Sequence, residues 1–147
     1  ILDRFGYLRD TQGYVFETEI EEELYTRADE LKIGQAVYNL IGNAVNYTGA
    51  DKKVRVSLKM VSETEFRFAV TDTGAGIKPE EIPTIWDRYY RSAETHKRPV
   101  KGTGLGLSIV KTVLEKHGFV FGVESERGKG STFYILFPAA PPQNNFA

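Results

Sequence analysis

The sequence predicts an α+β fold, a two-layer sandwich whose mixed, mostly antiparallel sheet carries helices on one face. Three observations predict it. Short runs with an apolar residue at every second position recur along the chain. Two longer segments between them repeat apolar residues three and four apart. Several of the alternating runs are joined by tight turns, which favours antiparallel pairing with one covered and one wet sheet face. The chain has 147 residues, 41% hydrophobic and 27% charged, which suits one domain with its own core and argues against wholesale disorder.

The elements follow in order. Ile1, Leu2, Phe5 and Leu8 sit at helical spacing and Gly13 is placed to end the turn, so residues 1–13 read as the end of a preceding linker helix. Residues 14–20 and 23–28 read as two short extended runs. Asp29 is an N-cap candidate. From it, Leu31, Ile33, Val37, Leu40, Ile41, Ala44 and Val45 form a helical stripe reaching about Tyr47. Val54, Val56, Leu58 and Met60 alternate with Lys53, Arg55, Ser57 and Lys59, the pattern of a half-buried strand. After a turn at 62–65, Phe66, Phe68 and Val70 continue one face of a partner strand, which breaks at Asp72-Thr73-Gly74-Ala75-Gly76.

Pro79 then opens a short helix through Glu80, Glu81, Ile82 and Ile85. No period is sustained from Arg88 to Gly104. Leu105, Ile109, Val110, Val113 and Leu114 mark a second long helix that ends at His117-Gly118. Phe119, Phe121 and Val123 form one strand and Phe133, Ile135 and Phe137 another, with a turn at 126–130. Residues 139–147, with paired prolines and amides, are expected to be a disordered tail.

Composition excludes several classes of function. Without cysteine there is no disulfide framework, thiolate metal site or thiol nucleophile, and a reducing compartment fits. A net charge of −1 carries no nucleic-acid signature. No apolar run approaches the about 18–20 residues of a membrane span, and the first ten residues are too charged for a signal peptide. The expectation is a cytoplasmic domain, monomeric on its own.

Five constellations carry chemistry. Asn39 and Asn43 stack one turn apart on a helix flank, followed by Asn46 and Tyr47. An amide oxygen is a hard, neutral ligand suited to Mg²⁺ that keeps waters and touches phosphates, although helix asparagines also simply bond backbone or water. Asp72-x-Gly74-x-Gly76 ends a strand. There a carboxylate would accept from an exocyclic amine and select adenine over guanine, while bare glycine backbone approaches a flat base. An Asx turn alone also explains that pattern. Gly102-Thr103-Gly104-Leu105-Gly106 runs into a helix and makes an anion cradle of orphan amides and helix dipole. Arg88, Arg91, Lys97, Arg98 and Lys101 precede it with one acid, Glu94, as in a lid or a plain solvated loop. Gly128-x-Gly130-Ser131 is a hairpin turn that would also bring a hydroxyl near phosphate. His96 and His117 have no triad or metal arrangement around them; His117 reads as a helix C-terminal residue facing the dipole.

Taken together, the order and spacing of these motifs, with Trp86 to Arg91 as a further block, closely resemble the catalytic ATP-binding domain of bacterial sensor histidine kinases over about residues 14–138. The resemblance implies the Bergerat-type ATP-binding sandwich with ATP, Mg²⁺ and a movable lid. By resemblance, Asn43 is the Mg²⁺ ligand with Asn39 assisting. Tyr47 lies against adenine or ribose, and Asp72 reads the adenine amine beside Gly74, Gly76 and Ile77. Arg88, Tyr89, Arg91 and Lys101 belong to the basic and aromatic stretch before the lid. Gly102, Thr103, Gly104, Leu105, Gly106 and Leu107 match the glycine box that holds the triphosphate, and Ser131 follows the last glycine pair.

Two departures stand out. The family usually has Lys or Arg where this chain has Asn46, so one charged phosphate contact is absent. Trp86 and Tyr89 replace phenylalanines. Topoisomerases, mismatch-repair proteins and a heat-shock chaperone of the same fold hydrolyse ATP and typically carry Glu where this chain has Asn39. A carboxylate there serves as general base and an amide does not, so Asn39 points to phosphotransfer. The resemblance therefore implies γ-phosphoryl transfer from Mg-ATP to a histidine on a separate dimerisation domain, then to an aspartate of a response regulator. The parent kinase would be anchored in the bacterial inner membrane, and this fragment would turn over little alone. A non-catalytic ATP-sensing module, a serine kinase or an ATPase of the same fold are the alternatives.

Overall fold

The computed structural model describes residues 1–87 and 106–142. A 3₁₀ turn (Leu2–Phe5) leads into α1 (Gly6–Gln12), which ends on Gly13 in the left-handed conformation at φ 74°. Then come β1 (Val15–Ile20), α2 (Glu30–Tyr47), β2 (Lys53–Met60), β3 (Glu65–Asp72), a 3₁₀ turn (Ile82–Thr84), α3 (Gly106–His117), β4 (Val120–Glu126) and β5 (Gly130–Pro138). The five strands form one sheet in the order β1-β2-β3-β5-β4. Among the described residues, only β1 and β2 pair in parallel. The remaining ladders are antiparallel, so the sheet is mixed and mostly antiparallel, as the patterning predicts.

Two connections, β2–β3 and β4–β5, are hairpins. The other two are helical crossovers, fewer hairpins than the short turns suggest. Helix α2 carries β1 to its parallel neighbour, and α3 carries β3 to β4 with β5 inserted between them. Register places same-face residues opposite one another: Val56 on Val70, Leu58 on Phe68, and Phe68 in turn on Ile135. Those side chains, with Leu40, Ile41, Ala44 and Val45 of α2 and Val110, Val113 and Leu114 of α3, make the core. Phe5 and Leu8 are buried in the same core. The opposite sheet face is wet and charged, with Glu17 paired to Arg55 at 3.4 Å and to Lys53 at 3.7 Å, and Glu19 to Lys59. These pairs are solvent-exposed and add little stability.

Asp29 caps α2, its carboxylate accepting from the Lys32 amide at 3.1 Å. Its own backbone N–H donates to His117 Nε2 at 3.1 Å, while His117 Nδ1 donates to the Val113 carbonyl at 2.8 Å. His117 therefore does more than face the dipole of α3: as the Nδ1–H tautomer it ties the end of α3 to the start of α2.

Two local expectations are corrected. Residues 23–28 form no strand, and the ladder of β1 ends at Ile20. Glu23 turns the chain at φ 60°, which breaks the extended run. The segment after Pro79 forms only the 3₁₀ turn Ile82–Thr84 rather than an α-helix. Pro83 supplies no N–H and stops propagation. Just beyond Pro138 the backbone still bonds its neighbours: Ala139 N donates to the Thr64 carbonyl at 2.8 Å and Ala140 N to that of Tyr25 at 2.7 Å.

Candidate functional site

The inward face of β3 runs Phe66, Phe68, Val70, and the next position on that face is Asp72. Asp72 is only 4% exposed. Its Oδ1 accepts from the Gly74 amide at 2.8 Å, and the Ser131 backbone amide also donates to the carboxylate. Burial outweighs both bonds and pushes its pKa up to about 6. Ser131, buried too, is its register partner on β5. A carboxylate this enclosed is costly unless a donor meets it, which is the property a donor-bearing ligand exploits.

The backbone around Asp72 is packed closely enough to require glycine. A Cβ at Gly74 would lie 1.9 Å from the Tyr47 carbonyl oxygen, and one at Gly130 would lie 2.0 Å from that of Asp72. Gly76 has φ 77° and lies against the turn between β4 and β5, where a Cβ would stand 2.4 Å from the Glu126 carbonyl oxygen. Gly128 N donates to the Ala75 carbonyl at 2.8 Å, stitching that turn to the 74–77 loop. On the other side, Thr48 at the end of α2 meets Thr73. The Thr73 amide donates to Thr48 Oγ1 at 3.2 Å, and the Thr73 hydroxyl donates to Asp51 at 2.5 Å. The loop is thus held between the C-terminal end of α2 and the β4–β5 turn.

Asn39, Asn43, Asn46 and Tyr47 line one flank of α2 beside its buried stripe, and all four are half-buried. Asn46 and Tyr47 are each engaged by a neighbour. No hydrogen bond among the described residues engages the amide of Asn39 or Asn43. Among the described residues there is also no group of three His, Cys, Asp or Glu able to hold a metal ion. A cation at this flank would meet neutral amide oxygens and would need anionic ligands from elsewhere. That donor set fits an ion arriving with phosphate oxygens. An open cavity of about 330 Å³ at the strand ends is lined by Asp72, Ser125, Ser131 and Lys129, among others.

Of the residues singled out from sequence, the structure gathers Tyr47, Asp72, Gly74, Gly76, Ile77 and Ser131 around one loop, with Asn43 and Asn39 one and two turns up α2. Gly106 and Leu107 open α3. Arg88, Tyr89, Arg91, Lys101, Gly102, Thr103, Gly104 and Leu105 lie outside the described residues. Trp86, just before them, packs edge-on against Phe121 at 5.2 Å and Phe133 at 5.6 Å, which seats it against the core. Sequence reasoning missed Ser125, whose hydroxyl accepts from the Ile77 amide at 2.7 Å and lies 2.9 Å from Ser131 Oγ. The signal was present: Ser125 continues the inward alternation of Phe121 and Val123.

Comparison with known proteins gives the family. The family described as histidine kinase-, DNA gyrase B- and HSP90-like ATPases matches residues 28–141. The sensor histidine kinase WalK of Bacillus subtilis is 32% identical over 146 residues, which is 99% of this chain and 24% of WalK. The chain thus spans about a quarter of that relative's length. The solved structure of full-length ShkA in complex with AMPPNP is 26% identical and has a TM-score of 0.78, covering 97% of this chain and 29% of that one. That of histidine kinase ThkA in complex with the response regulator TrrA is 27% identical with a TM-score of 0.72, covering 97% and 39%. Sharing fold and sequence with the catalytic domains of sensor histidine kinases, the chain belongs to the histidine kinase-, DNA gyrase B- and HSP90-like ATPase family.

Proposed function

We propose that residues 14–138 bind Mg-ATP and transfer its γ-phosphoryl to a histidine on a separate dimerisation domain of the same kinase, for relay to an aspartate on a response regulator. Residues 1–13 would be the end of the linker helix leading from that domain, and 139–147 a tail. The parent kinase would sit at the bacterial inner membrane with this domain on the cytoplasmic side; no helix among the described residues is long and apolar enough to cross a membrane. ShkA, which binds AMPPNP, and ThkA, which binds a response regulator, support the nucleotide and the partner.

One observation carries the reading: a nearly buried carboxylate, Asp72, at the mouth of a loop whose glycines leave bare backbone against α2 and the β4–β5 turn. The ionised carboxylate accepts from the adenine amine and rejects guanine, which offers no donor there. Gly74, Gly76 and Ile77 let the base approach closely, and Tyr47 closes the helix side. Asn43, with Asn39 one turn away, would hold Mg²⁺ through amide oxygens; the ion, when bound, neutralises phosphate charge in the transfer. Asn39 cannot take a proton from water, so the site favours an incoming histidine over hydrolysis. Arg88, Tyr89, Arg91 and the 101–107 stretch are assigned to the phosphates by position in the sequence, and Asn46 and Ser131 to the pocket rim.

The test is to mix the chain with a helical hairpin carrying the acceptor histidine and labelled ATP. Acid-labile label on the hairpin is expected. Acid-stable label, robust ATP hydrolysis by the chain alone, or no binding of ATP in a calorimeter would overturn the proposal.

A further inference from the structure

Ser125 lies outside every motif considered above, yet it sits where two of them meet. Its Oγ accepts from the Ile77 amide at 2.7 Å, stands 3.1 Å from the Gly130 carbonyl oxygen and 2.9 Å from Ser131 Oγ. A serine hydroxyl has one proton and two lone pairs. If that proton goes to Gly130 O, one lone pair takes the Ile77 N–H and the other takes the Ser131 proton. Every group in the cluster is then paired, and Ser131 Oγ keeps its lone pairs for a neighbour. Ser131 is the register partner of Asp72, and its backbone amide bonds the Asp72 carboxylate.

One side chain therefore sets the height of the 74–77 loop at Ile77 and the donor–acceptor sense of the hydroxyl beside Asp72. Nearby contacts do not replace it. The Gly128 bond to Ala75 holds the middle of the loop, and the Thr48–Thr73 contact holds its start. The Ile77 end has Ser125.

We infer that Ser125 is a positioning residue for base selection: through Ile77 and Ser131 it fixes the loop and the hydroxyl that make Asp72 selective for adenine. This rests on the nucleotide reading of the site. Replacing Ser125 with alanine leaves the Ile77 amide without its acceptor and releases that end of the loop, while Asn39 and Asn43 on α2, assigned to the metal and its phosphates, are not among the partners of Ser125.

The experiment titrates ATP, GTP and inorganic triphosphate, each with Mg²⁺, into the wild-type chain and the Ser125→Ala and Ser125→Thr variants. For Ser125→Ala we expect about tenfold weaker ATP binding, the scale of one orphaned buried donor. GTP and triphosphate should be unchanged, so the ATP-to-GTP preference falls by the same factor. Ser125→Thr, which keeps the hydroxyl, should restore the preference. An equal loss for all three ligands, or unchanged ATP binding in Ser125→Ala, would overturn the assignment. Wild-type protein that ignores ATP would instead overturn the nucleotide reading. Should Ser125→Ala fail to fold, amide exchange on the wild-type chain decides: a slowly exchanging Ile77 N–H supports the bond to Ser125, and exchange at the rate of an open loop refutes it.

Discussion

Asp72→Asn tests the electrostatics of the site without any ligand. The substitution keeps the side chain's shape and removes its charge. In the folded chain Asp72 is raised from 3.8 to about 6 by burial. That difference corresponds to about 3 kcal/mol between its two protonation states. The sign follows from linkage. Between pH 3.8 and about 6 the folded state holds the proton and the unfolded state has lost it, so this group's contribution to stability falls as pH rises through that window. Integrated between pH about 4.5 and 7.5, the wild-type chain loses about 2 kcal/mol through Asp72 alone. Asp72→Asn loses none of it. The hydrogen bonds from Gly74 and Ser131 weakened by the amide cost about 1 kcal/mol at either pH and cancel in the comparison. Asp3, Glu19 and Asp51 are shifted down by their partners and titrate with the opposite sign, but they are common to both proteins. Urea denaturation of both proteins at the two pH values measures the double difference. The stability of Asp72→Asn relative to wild type should be about 2 kcal/mol more favourable at pH 7.5 than at 4.5, roughly a 1 M change in midpoint difference. A relative stability independent of pH would refute the burial argument. If Asp72 reads adenine, the same variant loses most ATP affinity although its unliganded fold is no weaker at neutral pH.

Three further outcomes follow from contacts already described. Gly74→Ala drives a methyl to 1.9 Å from the Tyr47 carbonyl oxygen, backbone that cannot yield cheaply; a loss of more than about 2 kcal/mol in denaturation, together with loss of ATP binding, is expected. His117→Ala removes the acceptor for Asp29 N and the donor to Val113 O, and should cost about 1–2 kcal/mol in the same assay while nucleotide affinity holds. Asn43→Ala should weaken binding of Mg-ATP more than of metal-free ATP by calorimetry; equal effects would remove Asn43 from the metal's neighbourhood.

How much of this was legible in the sequence differs by residue. Val54 to Met60 and Phe66 to Val70 declared their strands because one sheet face is covered and the other is wet, and a period of two records that asymmetry. Asp29 declared the start of α2 because a cap is a local bond. What stayed hidden was non-local. The parallel pairing of β1 with β2 depends on where α2 returns the chain, which no short window contains. The same holds for the bond between Asp29 and His117, 88 residues apart, and for the one between Ile77 and Ser125, 48 apart. At 82–85 the apolar spacing looked helical, but Pro83, already visible, outweighed it.

The glycines connect these two levels. As sequence, Gly74 and Gly76 read as an Asx turn or as bare backbone for a flat base, and Gly130 as part of a hairpin turn. In the fold each is pressed against a carbonyl of another element: Tyr47 at the end of α2, Glu126 at the end of β4, and Asp72 itself. Their missing side chains bring three backbone segments together, so that a buried carboxylate and two serine hydroxyls lie close to the end of α2. Backbone held this way needs little reordering when a flat ligand enters, so less binding energy is spent on ordering the pocket. The buried charge of Asp72 carries the opposite bias: at neutral pH it disfavours the empty site, and a ligand that donates a hydrogen bond there would relieve it. On the proposed reading, rigid surroundings and a buried carboxylate would together convert the presence of one amine on a base into a difference in affinity, and neither feature would do so alone.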